Sequence, residues 1–285
     1  MLKILASLSK IIKENEITLV HTHHRMAAFY IRLLQMRHPK LIHVYTAHNV
    51  FKDKLPLYKF ALGKARTVAV SQAVQENILN DVRSVVIYNG VKMKQSEHTV
   101  NEITKCDGIK IGCIARLSEQ KGLPYLIQAM SLVTNPSVSL FLVGDGELKN
   151  DLINQIKKLG LEERIHFLGY RSDVVECINS FDFCVLPSVF EGFGLVAIEA
   201  FMNGKTMIAT DIPGVNEVVN SENGLLVPAE DPQALAQAIK QLAGDPEKRA
   251  SLAAQAKRDY DNKFSYPIFL DNYRNFYQSM RKGSK

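Results

Sequence analysis

Long hydrophobic runs and cysteine-rich motifs are both missing from the sequence. A transmembrane helix needs about 20 consecutive apolar residues, and no stretch approaches that length. The first residues become charged too early for a secretory signal peptide. The four cysteines lie within or beside apolar runs and show neither C-x-x-C nor Cys/His ligand spacing: Cys106, Cys113, Cys177 and Cys184. We therefore expect a cytoplasmic protein whose cysteines are reduced thiols of the core.

Signatures of nucleic-acid binding are also missing, because there is no zinc-finger or helix-turn-helix motif and no basic run interleaved with aromatics. The charge is nevertheless uneven. Residues 1–105 carry 16 Lys and Arg against 7 Asp and Glu, a net charge of +9, whereas residues 106–285 carry 19 against 22. A basic surface of this size can bind anionic lipid or a phosphorylated substrate. We expect no nucleic-acid partner, and we expect a peripheral contact of the first third with an anionic membrane, at the inner face of the plasma membrane.

Short β-branched runs alternate with longer amphipathic segments along the chain. The runs that we predict as strands are ITLVHTHH, LIHVYTAHN, RTVAVS and SVVIYNG, and, from residue 109 onwards, IKIGCIA, VSLFLVG, RIHFLG, DFCVLP, KTMIAT and GLLVP. Near-continuous apolar strands separated by helices are typical of parallel sheets with helices on both faces. The sequence therefore predicts an α/β protein with two doubly wound, Rossmann-like domains.

A polar stretch, residues 91–108, separates the two groups of strands and has no strong hydrophobic period, which is typical of a linker. We predict a first domain over residues 1–103 and a second domain over residues 104–264. The last segment, residues 265–285, is rich in aromatic residues. We predict a helix there that packs back on the first domain.

Ligands of open parallel sheets bind beyond the carboxyl ends of the strands, so the residues at those positions are candidates for function. In the first domain these positions are polar: His21, His23, His24, Thr46, His48, Asn49, Ser71 and Asn89. Strand-end turns and helix N-caps explain a single Ser, Thr or Asn well. The group of histidines is harder to explain in this way, because His is the side chain best suited to proton transfer near neutral pH.

The loop after the first strand of the second domain, in IKIGCIARLSEQKG, carries Arg116 and Lys121 and ends at Gly122. One guanidinium and one ammonium group, with helix N-terminal amides behind them, can bind a diphosphate. A solvated, charged loop is the alternative interpretation.

Two glutamates, Glu191 and Glu199, flank a Gly-Phe-Gly turn in SVFEGFGLVAIEAFMNG. We predict Glu191 in the loop that leaves the strand DFCVLP, and Glu199 more than one turn into the following helix. Backbone amides at the helix start can bind phosphate oxygens, while the carboxylates accept hydrogen bonds from sugar hydroxyls. This pattern indicates a nucleotide-sugar site. Alternatively, Glu191 caps its own helix and Glu199 forms a surface ion pair.

The stretch with both glutamates resembles the Glu-x7-Glu signature of the GT4 family of retaining glycosyltransferases, which have the GT-B fold. The resemblance extends over nearly the whole chain, because further motifs follow in the family's order: VHTHH, TAHN, AVSQAVQENI, VIYNGV, IARLSEQKG, LVGDGE, IHFLGYRSDV and ENGLLVPAEDPQALAQAI. It implies two Rossmann-like domains that face each other across a cleft.

The resemblance also implies which residues contact the substrates. Those that would bind the nucleotide part of the donor, through side chains or backbone, are Arg116, Lys121, Phe193, Gly194, Leu195 and Glu199. Within this set, Arg116 and Lys121 would bind the diphosphate and Glu199 the ribose. Glu191 would bind the transferred sugar, and His23, the second histidine of HTH, would lie near the reacting sugar. Glu191 and His23 are therefore the catalytic candidates.

The implied reaction is the transfer of a sugar, from a UDP-sugar, to an acceptor hydroxyl with retention of the anomeric configuration. The implied partners are a nucleotide-sugar donor and a glycan or lipid-linked acceptor, in polysaccharide, lipid-linked glycan or glycolipid biosynthesis. GT-B enzymes generally need no catalytic metal, and we identify no Asp-x-Asp motif of the kind that metal-dependent sugar transferases use. We expect no metal or other cofactor, because Arg116, Lys121 and the helix dipole would neutralise the leaving group.

Family members normally begin with further βα units before the VHTHH strand, so the resemblance implies an incomplete first domain. Two other classes of function stay open. One is a nucleotide-sugar epimerase or phosphorylase on the same architecture, which acts without a separate glycan or lipid acceptor. The other is a nucleotide-binding remnant without turnover, or a subunit completed by another chain. Donor hydrolysis and transfer assays distinguish the glycosyltransferase from the epimerase or phosphorylase. The nucleotide-binding remnant predicts donor binding without either activity.

Overall fold

Each of the two parts of the chain is built on one parallel β-sheet. The structure is a computed structural model that describes residues 2–49, 55–63, 65–76, 84–92 and 96–282. The chain forms two compact units, Met1–Tyr88 and Asn89–Lys285. The predicted division after residue 103, and the predicted packing of the last helix on the first domain, stay predictions.

The described residues of the first unit contain four parallel strands that lie in chain order. They are β1 (Leu19–Thr22), β2 (Ile42–Ala47), β3 (Arg66–Ala69) and β4 (Ser84–Val86). Leu19 lies opposite Ile42, and Thr67 lies opposite Ser84. Because crossovers between parallel strands are right-handed, strands in chain order place their connecting helices on one face of the sheet.

The helices of the first unit are α1 (Leu2–Glu14), α2 (Arg25–Gln35), α3 (Leu55–Leu62) and α4 (Gln72–Val74). Helices α2 and α3 lie side by side, with the ring centroids of Phe29 and Phe60 6.0 Å apart. In α1 and α2 the apolar residues recur at helical spacing, which gives each helix one apolar side. Ile12 of α1 packs in one cluster with Ile31 and Leu34 of α2.

Six parallel strands lie in the part of the second unit that the structure describes. They are β5 (Ile109–Ile114), β6 (Val138–Val143), β7 (Ile165–Gly169), β8 (Phe183–Leu186), β9 (Met207–Thr210) and β10 (Gly224–Val227). Their order is β10-β9-β8-β5-β6-β7, so the direction of winding reverses between β5 and β8. Ligands of doubly wound sheets bind at this topological switch point. All ten predicted strands are confirmed.

The helices of the second unit are α5 (Asn101–Thr104), α6 (Leu123–Leu132), α7 (Lys149–Leu159), α8 (Val174–Ser180), α9 (Leu195–Met202), α10 (Pro232–Gly244), α11 (Pro246–Asp259) and α12 (Tyr266–Lys282). Leu140 and Leu142 of β6 belong to a large apolar cluster that includes residues of α6 and α10. Phe141, between them, points to the other face and stacks on Phe181, with centroids 6.1 Å apart. In the described part of the chain, no helix combines the length and hydropathy that a membrane crossing requires.

Part of the predicted linker, residues 96–104, packs on the second unit. Val100 N donates to Ser180 Oγ at 2.8 Å, and Asn179 Nδ2 donates to a backbone carbonyl of the same stretch at 2.6 Å. Ile103, in α5, is fully buried. The sequence pattern could not show these contacts, because two buried apolar residues among many polar ones produce no hydrophobic period.

Candidate functional site

The loop after β5 is held against the loop after β6 by backbone hydrogen bonds. Leu117 N donates to Asp145 O at 3.0 Å, and Leu148 N donates to Leu117 O at 3.0 Å. The β5 loop ends in one turn of 3₁₀ helix, Glu119–Lys121. This turn lies at the carboxyl end of β5, beside the topological switch point.

Gly122 sets how closely the β5 loop approaches the loop after β8. Its φ of 62° is left-handed, and a Cβ there would lie 2.0 Å from the carbonyl oxygen of Pro187. Only glycine satisfies both conditions. Two hydrogen bonds join the loops directly: Val189 N donates to Gln120 O at 2.8 Å, and Gln120 Nε2 donates to Phe190 O at 2.9 Å. The two loops therefore form one continuous wall at the switch point.

A largely buried ion pair crosses the same two loops. Lys121 Nζ donates to Glu191 Oε1, and the two side chains are only 19% and 12% exposed. Ser188 Oγ donates to the same carboxylate oxygen at 3.3 Å. Burying two charges costs several kcal/mol per ion unless they are paired and hydrogen-bonded. The structure thus brings together two predicted site residues whose mutual contact the sequence did not predict.

The other predicted cation, Arg116, lies on the surface. Its Nη2 is 3.1 Å from Glu147 Oε2, and its side chain is 73% exposed. An exposed ion pair contributes at most about 1 kcal/mol, so the guanidinium can leave Glu147 at little cost. Arg116 and Lys121 therefore hold different carboxylates in this structure.

Helix α9 begins directly after the Gly-Phe-Gly turn. Gly194 has a left-handed φ of 82°, and no side chain of the described residues caps the helix start. The first N–H groups of a helix have no intrahelical acceptor, so the amides here can bind an anion. The Phe193 ring is turned into the core, where it packs edge-on against Phe264 with centroids 6.0 Å apart. This geometry agrees with a backbone site at Phe193, Gly194 and Leu195, and their role stays a prediction.

Glu199 lies in the second turn of α9 and is partly buried. Burial raises the pKa of its carboxyl group to about 7. No hydrogen bond or ion pair reaches this carboxylate from any described residue, which argues against the surface ion pair. The helix-cap alternative for Glu191 is not seen either, because its carboxylate binds Lys121 and Ser188.

The histidines of the first unit form a cluster at the carboxyl ends of β1 and β2. His23 Nδ1 lies 3.0 Å from His48 Nε2, so one ring donates and the other accepts. His21 Nε2 lies 2.7 Å from Thr46 Oγ1, and the rings of His21 and His23 stack with centroids 4.3 Å apart. Burial lowers the pKa of all three histidines, to about 4 for His21, where the neighbouring histidines lower it further. The cluster is therefore neutral at pH 7.

Two other polar residues at the strand ends cap helices. His24 Nδ1 accepts from Met26 N at 3.3 Å at the start of α2, and Ser71 Oγ accepts from Val74 N at 3.0 Å at the start of α4. At these two positions the N-cap interpretation is correct. Neither residue takes part in the hydrogen bond between His23 and His48.

Three residues that shape the wall were not identified from the sequence. Gln120 donates a hydrogen bond to the β8 loop through its side chain and accepts one from it through its backbone carbonyl. Ser188 Oγ donates to Glu191, and Thr210 Oγ1 donates to Ser188 O at 2.6 Å. Ser188 offered one signal, since it is a polar residue directly after a strand-ending proline. Gln120 and Thr210 offered none, because their partners are distant in the sequence.

Contrary to our expectation from the sequence, one Asp-x-Asp triplet is present in the chain, at Asp259 and Asp261, where α11 ends. Asp259 accepts from Asn223 Nδ2 at 2.8 Å and pairs with Lys263 at 2.9 Å. Asp261 pairs with Lys257 at 2.6 Å. Both carboxylates therefore belong to a structural network. The predicted independence from metal stays a prediction.

Two protein-family models match the chain. The model for glycosyl transferases group 1 matches residues 95–259, and the model for glycosyltransferase family 4 matches residues 1–95. The first match alone covers more than half of the chain. It includes the β5 and β8 loops and helix α9.

Similar proteins are also named as glycosyltransferases. An uncharacterized glycosyltransferase of Methanocaldococcus jannaschii is 30% identical over 285 residues, which cover 95% of this chain and 78% of the relative. The UDP-Gal:alpha-D-GlcNAc-diphosphoundecaprenol alpha-1,3-galactosyltransferase of Escherichia coli is 27% identical over 274 residues, covering 86% of this chain and 71% of the relative. Other relatives are matched over only 48% to 60% of their own length.

A solved structure has the same fold. The crystal structure of Anabaena HepE in complex with UDP matches this chain with a TM-score of 0.89 and 25% sequence identity, covering 97% of this chain and 82% of HepE. HepE has also been crystallised with UDP-glucose. This chain has the GT-B fold and belongs to the glycosyl transferases of group 1.

Proposed function

We propose that this protein transfers a sugar from a UDP-sugar to a hydroxyl of a glycan or lipid-linked acceptor, with retention of the anomeric configuration. The similar protein HepE binds UDP and UDP-glucose in its crystals. The similar galactosyltransferase of Escherichia coli is named for a UDP-galactose donor and a diphosphoundecaprenol acceptor. Both proteins support a donor of the uridine class. The name of the galactosyltransferase also supports an acceptor on a lipid-linked glycan.

The observation that carries the proposal is the Lys121–Glu191 pair at the switch point. A Lys ammonium has three N–H donors, and one of them is used by Glu191. Two donors remain for the donor diphosphate, and Glu191 holds the ammonium in place. The second carboxylate oxygen of Glu191 can accept a hydrogen bond from a hydroxyl of the transferred sugar. One pair thus contacts phosphate and sugar on either side of the bond that breaks.

The start of α9 and Glu199 would bind the rest of the donor. The uncapped amides at Gly194 and Leu195 suit the phosphate oxygens. The Glu199 carboxylate has no partner among the described residues, and the two hydroxyls of a ribose would supply two hydrogen-bond donors to it. Arg116 is mostly exposed, so its guanidinium can move from Glu147 to the phosphate of the diphosphate that is bonded to the sugar.

In the proposed reaction the acceptor oxygen forms a bond to the anomeric carbon while the bond from that carbon to the diphosphate oxygen breaks. The electron pair leaves with the diphosphate, where Lys121, Arg116 and the α9 amides stabilise the charge. The acceptor proton passes to a phosphate oxygen on the same face. His23 is neutral at pH 7, so it would orient a sugar hydroxyl by hydrogen bonding and would not act as a cation.

The first unit is proposed to contact an anionic membrane where lipid-linked acceptors lie. Helix α1 buries one side and exposes Leu2, Ile4 and Ile11 to solvent, next to Lys3 and Lys10. Exposed apolar residues beside lysines are typical of helices that lie in a membrane interface. The biosynthesis of polysaccharides, lipid-linked glycans or glycolipids fits such a location.

The experiment is a calorimetric titration of the protein with UDP, followed by a transfer assay with UDP-sugars and a membrane extract, with products identified by mass spectrometry. We expect UDP binding that is weakened in Lys121→Ala. The matched control is Lys240→Ala, an exposed lysine on α10, which should bind UDP like the wild type. Equal UDP affinity in both variants, or no UDP binding by the wild type, would contradict the proposal.

A further inference from the structure

A second concave site lies in the second unit, beside the loops that carry Lys121 and Glu191. It is a cavity of about 480 Å³ between the β5 loop, the β8 loop, α6, α7 and the loop before α10. This volume lies within the range of small-molecule sites. Its lining includes two aromatic residues, Tyr125 and Phe190, and several carboxylates and amides.

One wall of the cavity is fixed by a hydrogen bond between distant segments. Tyr125 Oη donates to Glu230 Oε1 at 2.6 Å, which holds both side chains in place. Glu230 has a left-handed φ of 59° although it is not a glycine. Such backbone strain is found at ligand-binding sites more often than elsewhere. The phenol ring and the carboxylate are therefore positioned before any ligand arrives.

Two glutamine side chains are positioned in the same way. Gln120 Nε2 donates to Phe190 O at 2.9 Å, and Gln155 Nε2 donates to Pro124 O at 2.9 Å. Each amide uses one N–H in these bonds, so its Oε1 and second N–H can bond a ligand. Phe190 is 62% exposed, and its ring lies at the rim of the cavity.

The lining chemistry selects the kind of ligand. Its acidic residues, Glu119 and Glu230, are accompanied by no Lys or Arg among the described lining residues, so phosphates and nucleic acids would be repelled. Fixed carboxylates and amides suit a ligand with many hydroxyl groups, while aromatic rings suit one that also has an apolar face. A neutral sugar has both properties.

We propose that this cavity binds a neutral sugar residue of the acceptor glycan. Gln120 precedes Lys121 and Phe190 precedes Glu191 in the chain, so the cavity shares both of its loops with the predicted donor site. A sugar held there would lie next to the loop that carries Glu191. That this sugar belongs to the acceptor rests on the proposed function, whereas the binding of a neutral sugar rests on the cavity alone.

The experiment uses the absence of tryptophan from the chain. Phe190→Trp places a single fluorescent indole at the rim of the cavity, and it keeps the aromatic ring at an exposed position. The matched control is Tyr170→Trp, because Tyr170 is 82% exposed in the same unit and does not line the cavity. The probes are maltotriose, cellotriose and triacetylchitotriose, each titrated to about 50 mM, with trilysine as a cationic comparison.

We expect at least one trisaccharide to change the fluorescence of Phe190→Trp saturably, and to leave Tyr170→Trp unchanged. Adding Glu230→Gln to Phe190→Trp should weaken that binding roughly tenfold, because a charged acceptor is lost. Saturation by trilysine alone, no saturation by any trisaccharide, or an unchanged affinity with Glu230→Gln would each overturn the proposal. UDP binding, measured by calorimetry on the same variants, tests the proposed function separately, since UDP affinity can persist when saccharide binding fails.

Discussion

Replacing Glu199 by Gln should stabilise the folded protein at alkaline pH while it weakens nucleotide binding. The Glu199 carboxyl group is partly buried in α9 and has no hydrogen-bond or ion-pair partner among the described residues. Burial of an unpaired carboxylate disfavours its charged form, which is why its pKa rises to about 7. A neutral amide of the same shape avoids this penalty. The gain in stability of Glu199→Gln therefore measures how much free energy of unfolding the wild type loses by burying an ionised carboxylate at this position.

The magnitude and the sign follow from the two pKa values. At a pH below 4.5, the ordinary pKa of a glutamate, the Glu199 carboxyl group is protonated in both the folded and the unfolded protein. The substitution should therefore change the stability little there. Between 4.5 and about 7 the unfolded chain releases a proton that the folded chain retains, so wild-type stability falls as pH rises. Well above pH 7 the loss is complete and amounts to at most about 3.5 kcal/mol, at about 1.4 kcal/mol per pKa unit.

The assay is differential scanning calorimetry of the wild type and Glu199→Gln at pH 4.5 and pH 8. We expect nearly equal Tm values at pH 4.5 and a Tm higher by several degrees for the variant at pH 8, at most about 10 °C for a domain of this size. The control is Glu162→Gln, an exposed carboxylate of the same unit, which should shift Tm at neither pH. A variant that is less stable than the wild type at pH 8 would show that Glu199 has a stabilising partner and that the reasoning is wrong.

Three further predictions concern binding. Lys121→Ala and Arg116→Ala should each weaken UDP binding by roughly one to three kcal/mol, through lost charge-assisted hydrogen bonds; calorimetry showing unchanged affinity in both would remove the phosphate role. Glu199→Gln should weaken binding of free UDP, whereas Glu191→Gln should spare UDP and weaken binding of the UDP-sugar; equal losses of UDP affinity would contradict this division. The protein should sediment with anionic vesicles but not with neutral ones, less so at high salt and less so in Ile11→Ser; equal binding to both kinds of vesicle would exclude the electrostatic contact.

The strands could be predicted from the sequence, because each is a short, nearly continuous apolar run, and such runs with intervening helices form parallel sheets. This was enough to place the Arg116 loop and the Glu191 loop at strand ends. The pairing of β5 with β8 is what makes these two loops neighbours. No local pattern encodes that pairing, since the order of strands depends on how the whole unit packs.

The contacts within the site were harder to predict than its members. Lys121 and Glu191 are 70 positions apart, and their contact depends on Gly122, whose missing Cβ lets the two loops approach. The orientation of Arg116 was not predictable either, because an exposed side chain takes its rotamer from weak local interactions such as that with Glu147. The pairing of His23 with His48 likewise depends on the register of β1 and β2.

The charge balance of the wall supports the proposal that Lys121 and Arg116 both bind the donor diphosphate. In the absence of a donor, the positive charge of Lys121 is offset by Glu191, so the buried pair is neutral as a whole. A diphosphate brings more negative charge than a neutral pair can compensate, and Glu199, if ionised, adds another. The compensating charge must then come from the amides at the start of α9 and from a cation that is free to move. Arg116 is such a cation, because its surface ion pair with Glu147 is weak and its guanidinium can bind two phosphate oxygens at once.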